Sequence, residues 1–128
     1  DVAEACINER IDMFAFSPLA TGLLTGKYQG GAVPEGSRMS LRPGMGGRTT
    51  KRAYEAVDAY LTVAKDHDID PTQMALAWCC TRPFMGSVIF GATTMDQLDT
   101  AIGSGELSLY KEVMEALDAV HEAHPMPY

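Results

Sequence analysis

The sequence predicts an α/β chain, mainly helical by content, whose few strands belong to a parallel sheet. Three observations lead there. Two short apolar runs, Met13 to Phe16 and Ser87 to Phe90, each end in a loop of Gly, Ser and Thr and then a helix start. Strand, loop and helix in repetition is the unit of a parallel α/β fold. Both runs are apolar along their whole length, as strands covered on two faces are. Only two such runs occur, whereas a closed (β/α)₈ barrel, the TIM barrel, has eight. The expectation is therefore a partial domain over residues 1–128, the C-terminal portion of such a barrel with about its last two strands and their helices, its N-terminal strands missing.

Each element has its own reason. Val2, Ala3, Cys6 and Ile7 recur at helical spacing and predict the tail of a helix running in from before residue 1. Met13 to Phe16 is stopped by Pro18, which has no amide hydrogen for a ladder. Residues 29–50 are rich in Gly, Pro and Ser, and too long for a routine connection, which predicts a functional or mobile loop. Val57, Tyr60, Leu61 and Ala64 mark one face of a helix over about 50–66. In "DIDPTQMALAWCC", Asp70 suits the N-cap, Pro71 the first helical position, and Gln73 the third position of a capping box. Met74 to Cys80 is apolar nearly all round, predicting a helix buried on most sides with Trp78 in the core. Thr94 with Gln97 opens a short helix by the same capping logic. Val113, Leu117 and Val120 mark the inner face of a last helix over about 108–124.

Composition narrows the function classes. The net charge of −7 and the pI near 4.8 argue against a nucleic-acid or anionic-membrane partner, since those surfaces are themselves negative. An anion site must then be local. No stretch approaches the roughly 20 apolar residues of a membrane span, and DVAEACINER lacks the regions of a signal peptide, so a cytoplasmic protein is expected. Cys6, Cys79 and Cys80 sit in apolar patterns and read as small buried hydrophobes, not a disulfide framework. His121 and His124 share a helix face but lack a third ligand, so no metal site is expected.

The two loops carry the functional signal. In barrels of this kind ligands bind over the carboxyl ends of the strands, where glycines let backbone approach a phosphate and helix N-termini supply positive potential. Ser17 to Gly26 and Gly91 to Gln97 both occupy that position. Each taken alone reads equally as an ordinary strand-to-helix turn. The glycine-rich GMGG at 44–47 follows no strand and is not read as a phosphate loop.

FAFSPLATGLLTGKY, PEGSR at 34–38, DPTQMALAWCCTRP, SVIFGATTMDQL and the closing helix ending in HPMPY together resemble the C-terminal part of the aldo-keto reductases. These are NADP(H)-dependent oxidoreductases built on a (β/α)₈ barrel, and the likeness extends to the oxidoreductases that resemble potassium-channel β subunits. The resemblance implies that Phe16, Ser17, Pro18, Leu19, Ala20 and Thr21, with Gly22 and Leu24, belong to the loop that folds over the cofactor pyrophosphate. It implies a cofactor contact for Lys27, an adenosine-phosphate partner in Arg38, and an adenosine-side loop in Gly91, Thr93 and Gln97. Where the family commonly continues Gln-Leu-x-Glu-Asn, this chain has Thr100 and Ala101, which predicts weaker cofactor binding and leaves the choice of NADP(H) over NAD(H) open.

The family's catalytic aspartate, tyrosine, lysine and histidine come from earlier strands. Lys27, Tyr28 and His121 are the right residue types in the wrong motifs, so no catalytic residue is assigned. Two functions are weighed. One is the cofactor-binding end of a reductase of aldehydes or ketones, inactive alone, with NADP(H) and a small carbonyl substrate as its ligands in the complete barrel. The other is a non-enzymatic module derived from this fold that binds a nucleotide or a protein. Exposed strand edges, with Phe14, Phe16, Val88 and Phe90 forming an apolar surface, predict self-association.

Overall fold

A computed structural model describes residues 1–127; Tyr128, the last residue of HPMPY, lies outside them. Helix α1 (Val2–Glu9) is capped by the Asp1 side chain, which accepts from the Glu4 amide. It ends at Arg10, whose left-handed conformation turns the chain into strand β1 (Met13–Phe16). Strand β2 (Met85–Ile89) lies beside β1 in parallel, pairing Phe14 with Ser87, Ala15 with Val88 and Phe16 with Ile89, after an irregularity between Met13 and Phe14. Between them run a short helix α2 (Arg38–Leu41) and the longer α3 (Lys51–Asp66) and α4 (Pro71–Cys80). Helices α5 (Met95–Gly103) and α6 (Lys111–Ala123) follow β2. The parallel pair joined by a helical crossover is the predicted unit.

The caps follow the sequence, but neither expected capping box closes, Gln97 accepting from Thr93 and not from the Thr94 amide. Thr50, Asp70 and Thr94 each accept from the amide three residues on, at 3.0, 2.9 and 3.2 Å. Gln73, however, does not reach back to complete a capping box at Asp70. Its side-chain amide donates to the Thr100 carbonyl at 3.1 Å, tying α4 to α5. Gly103 makes this approach feasible, because a Cβ there would stand 2.5 Å from the Gln73 amide nitrogen.

Two apolar clusters hold the molecule. Val63 and Ala64 of α3, Met74 of α4, and Val113 and Leu117 of α6 form one, with Trp78 and Val120 packed half-buried at its edge. Leu23, Tyr28, Met39, Met45 and Val57 form the other, so the segment 29–50 is anchored by its own core and is not a loose connection. The Thr50 hydroxyl also donates to the Pro127 carbonyl at 2.9 Å, folding the C-terminal segment onto the start of α3.

Three expectations need correction. Cys80 is exposed and Cys6 and Cys79 are only half-buried, because α4 buries Met74, Leu76 and Ala77 and turns its last residue to solvent. Strand β2 begins at Met85, two residues earlier than expected, since Met13 and Phe84 open the ladder with a 2.8 Å hydrogen bond. Val88, opposite Ala15, is half-buried, and it is Ile89, opposite Phe16, that shares the exposed face with Phe14 and Phe16.

Candidate functional site

The register of β1 and β2 brings their carboxyl ends side by side, so both loops leave the same end of the sheet. The loop after β1 turns abruptly. Ser17, Ala20 and Thr21 hold positive φ angles of 57°, 47° and 61°, followed by Gly22 at 100°. Non-glycine residues avoid that region at a cost on the order of 1–2 kcal/mol each, so the surroundings must impose it. The Ala20, Gly22 and Leu24 amides donate to Ser17 and Leu19 carbonyls at 2.8 to 3.2 Å, which commits them to the turn itself. Ligand contacts in this loop therefore fall to side chains and the remaining backbone.

Lys27 folds back over this turn. Its ammonium stands 5.2 Å from the centre of the Tyr28 ring, a cation–π contact. A Cβ at Gly22 would meet Lys27 Cε at 3.3 Å and Tyr28 Cε2 at 3.4 Å, so glycine is what lets the lysine lie there. Tyr28 itself is 0% exposed, which removes it as a group that touches a substrate. Phe16 stands at the strand end with 77% of its surface open.

Arg38 begins α2 after Ser37, whose hydroxyl caps the Ser40 amide at 3.4 Å. The Arg42 amide donates to the Arg38 carbonyl at 2.8 Å, one helical turn on. Arg38, Arg42 and Arg48 line a cavity of about 200 Å³ together with Thr21, Met45 and Gly46. Among the described residues no carboxylate lines it. A second, mostly apolar hollow of about 500 Å³ adjoins α2 and is lined by Val33, Met39, Ser40, Pro43, Gly44, Thr49 and Tyr54.

The loop after β2 stands apart. Gln97 Oε1 accepts from the Thr93 amide at 3.0 Å and from its hydroxyl at 3.1 Å, closing the turn before α5. Gly91 faces open space, and none of Gly91, Thr93 and Gln97 lines the arginine cavity. Thr100 donates its hydroxyl to the Asp96 carbonyl at 2.8 Å and Ala101 is buried, so neither presents a polar side chain outward in place of the family's Glu-Asn.

Of the expected cofactor residues, then, Thr21 and Arg38 share the cavity, Gly22 and Lys27 form a second contact in the same loop, and Ser17, Pro18, Leu19, Ala20 and Leu24 shape that loop. Arg42, Met45, Gly46 and Arg48 also line the cavity and were not singled out in the sequence. The signal was present as four arginines at 38, 42, 48 and 52 in an acidic chain, interrupted by the dismissed GMGG. Among the described residues no three His, Cys, Asp or Glu side chains come together as a metal site, and no helix is long and apolar enough to cross a membrane.

The family model of the aldo/keto reductases matches residues 1–122. The chain belongs to the aldo/keto reductase family. It is 41% identical to the protein tas of Escherichia coli (strain K12) over 126 residues, which cover 98% of this chain and 36% of that protein. It is 36% identical over 94 residues to a probable voltage-gated potassium channel subunit beta of Arabidopsis thaliana, covering 71% of this chain and 29% of the relative. The structure of a glycerol dehydrogenase from Gluconobacter oxydans superposes with a TM-score of 0.72 at 21% identity, over 100% of this chain and 39% of the other. That likeness shows the fold: the strands and helices here are a portion of an aldo/keto reductase barrel. The chain spans between 29% and 39% of the length of these relatives.

Proposed function

We propose that this chain is the cofactor-clamping C-terminal part of an NADP(H)-dependent aldo/keto reductase, and that the remaining strands of the barrel lie on further chain. The observation that carries this reading is the arginine-lined cavity beside the strained turn after β1, at the carboxyl end of a parallel sheet. In a chain of net charge −7, three guanidinium groups around one hollow form a local anion site.

The residues fit a phosphate-bearing dinucleotide. Arg38 offers planar donors suited to phosphate oxygens. Lys27, held over Gly22, places a further cation in the loop that begins at Ser17. Phe16 supplies an exposed aromatic face at the strand end, and Gly91, Thr93 and Gln97 leave the adjacent strand at the same end of the sheet. Bound NADPH supplies the hydride for reduction of a small aldehyde or ketone. This chain's part is to bind and orient the cofactor, while the proton donor and its supporting groups come from the earlier strands.

The test is cofactor binding followed by fluorescence of NADPH. The expected result is saturable quenching that weakens as salt rises and is lost in Lys27→Ala together with Arg38→Ala. Absence of NADPH binding by the protein in its complete barrel would overturn the reading.

A further inference from the structure

Four successive residues, Gly44, Met45, Gly46 and Gly47, hold left-handed φ angles of 79°, 46°, 70° and 85°. Such a run has little preference of its own for one conformation, because glycine ranges freely and Met45 adopts this region at a cost. Local bonds close it: the Gly47 amide donates to the Gly44 carbonyl at 2.8 Å, and the Thr49 hydroxyl donates to the same carbonyl at 3.3 Å. Burial of Met45 beside Leu23 and Tyr28 fixes its middle. Its exit is fixed from elsewhere in the chain. The segment enters α3 at Thr50, whose hydroxyl works in both directions, accepting from the Ala53 amide at 3.0 Å and donating to the Pro127 carbonyl at 2.9 Å. Two residues on, the Arg52 guanidinium donates to the Pro125 carbonyl at 3.1 Å. These two bonds join residues 77 and 73 apart in sequence.

We propose that the segment 125–127 is a strap, that Thr50 and Arg52 hold it against the start of α3, and that this hold keeps the segment 42–49 in the shape it needs. The strap is suited to the task. Pro125 and Pro127 have a fixed φ and no amide hydrogen, so the segment has few conformations to lose and offers only its carbonyls. Met126 between them is 82% exposed with a φ of 46°, so its side chain anchors nothing and the two accepted carbonyls hold the turn. Helix α6 delivers the strap: Val113 and Leu117, early in α6, pack on Val63 and Ala64, late in α3, so the helices run oppositely and the residues after α6 arrive at the first turn of α3. The segment 42–49 supplies Met45 and Gly46 to one hollow and Pro43, Gly44 and Thr49 to the other, so one strap sets a wall of both. Thr50 and Arg52 line neither hollow and are positioning residues, acting through the backbone they hold. Any effect on NADPH rests on the cofactor reading above; the ordering of 42–49 does not.

Amide hydrogen exchange, read by mass spectrometry on the parent, Thr50→Asp, Thr50→Ser and Arg52→Ala, tests this. Aspartate caps a helix as well as threonine does but has no hydrogen for the Pro127 carbonyl, so Thr50→Asp separates the strap from the cap. Its segment 42–49 should exchange about fivefold faster than the parent's while residues 54–66 of α3 are unchanged. Thr50→Ser, which keeps both bonds, should exchange like the parent. Arg52 is exposed, so Arg52→Ala is the gentler change and should speed exchange of 42–49 about twofold, which decides the matter should Thr50→Asp fail to fold by circular dichroism. Parent-like exchange of 42–49 in the folded variants overturns the strap, and so does an equal rise along α3, which would assign the effect to the helix. NADPH titration of the same proteins separates the two readings. Binding about fivefold weaker in Thr50→Asp and restored in Thr50→Ser supports both. Faster exchange of 42–49 with NADPH affinity unchanged leaves the strap standing and overturns the cofactor's place beside this segment.

Discussion

Tyr28 is fully buried, and its hydroxyl has no hydrogen-bond partner among the described residues. Its ring fills the cluster with Leu23, Met39, Met45 and Val57, so the aromatic body stabilises the segment after β1 while the hydroxyl opposes it. Tyr28→Phe is therefore expected to leave stability unchanged or to raise it by up to about 1 kcal/mol in urea unfolding; a clear loss would show that the hydroxyl has a partner. Gly22 makes the opposite case. An alanine there would have to hold a φ of 100° and push against Lys27 and Tyr28, so Gly22→Ala should cost about 1–2 kcal/mol and weaken NADPH binding with it. Burial and the neighbouring Cys80 raise the Cys79 thiol above its ordinary value, against a smaller lowering by Arg82. The neutral thiol is thus favoured in the folded chain, and the unfolded chain loses this proton at a lower pH. Cys79 should accordingly make no pH-dependent contribution to stability near neutrality, and stability should fall as pH rises above about 9. Mass-resolved alkylation at pH 8 should modify exposed Cys80 well before Cys79; equal rates would contradict the packing of α4.

At the level of elements, legibility tracked how local the cause was. Helix α4 was readable because its start is encoded in adjacent residues: Asp70 caps, Pro71 fits the first turn, and the apolar run follows. Removing that cap by Asp70→Ala should cost about 1 kcal/mol, measured as a shift in the thermal midpoint, and an unchanged midpoint would mean the cap is redundant with packing. The far end of Gln73 was not readable, since its partner is the Thr100 carbonyl 27 residues away and only the packing of α4 on α5 reveals it. Strand β2 was placed but started late, because Met85 and Gly86 look like loop residues until the ladder to Met13 is seen. The same distinction explains the candidate site. Thr21 and Gly22 lie in a loop whose grammar is local, and Lys27 and Arg38 were marked by the resemblance of FAFSPLATGLLTGKY and PEGSR to the family. Arg42 and Arg48 are brought to Thr21 only by the way the segment 29–50 folds onto its own core of Met39 and Met45. Arginines on either side of a glycine run read as loop polarity until a cavity places them together.

The whole molecule presents one face that its own helices do not cover. Phe14 is 67% exposed and Phe16 77%, with Ile89, the partner of Phe16, on the same side of the two-stranded sheet. Each aromatic of this size left in water forgoes about 1.5–3 kcal/mol of burial free energy, and contiguous apolar patches of that kind are rare on free monomers. In the proposed complete barrel these side chains meet the strands that close it. Studied without those strands, the chain is expected to associate through this face and to bind a hydrophobic dye, and Phe16→Lys with Ile89→Lys should suppress both. Adding the N-terminal strands of a related reductase as a separate polypeptide should compete for the same face, abolish dye binding, and yield NADPH-dependent reduction of a small aldehyde or ketone that neither piece performs alone. Because the proton donor is assigned to those earlier strands, removing the added piece's catalytic tyrosine should eliminate turnover while NADPH binding to the mixture persists. A sharp, monomeric, dye-free thermal transition of this chain alone would refute the uncovered face as a joining surface, and reduction by this chain unaided would refute the assignment of catalysis to the earlier strands.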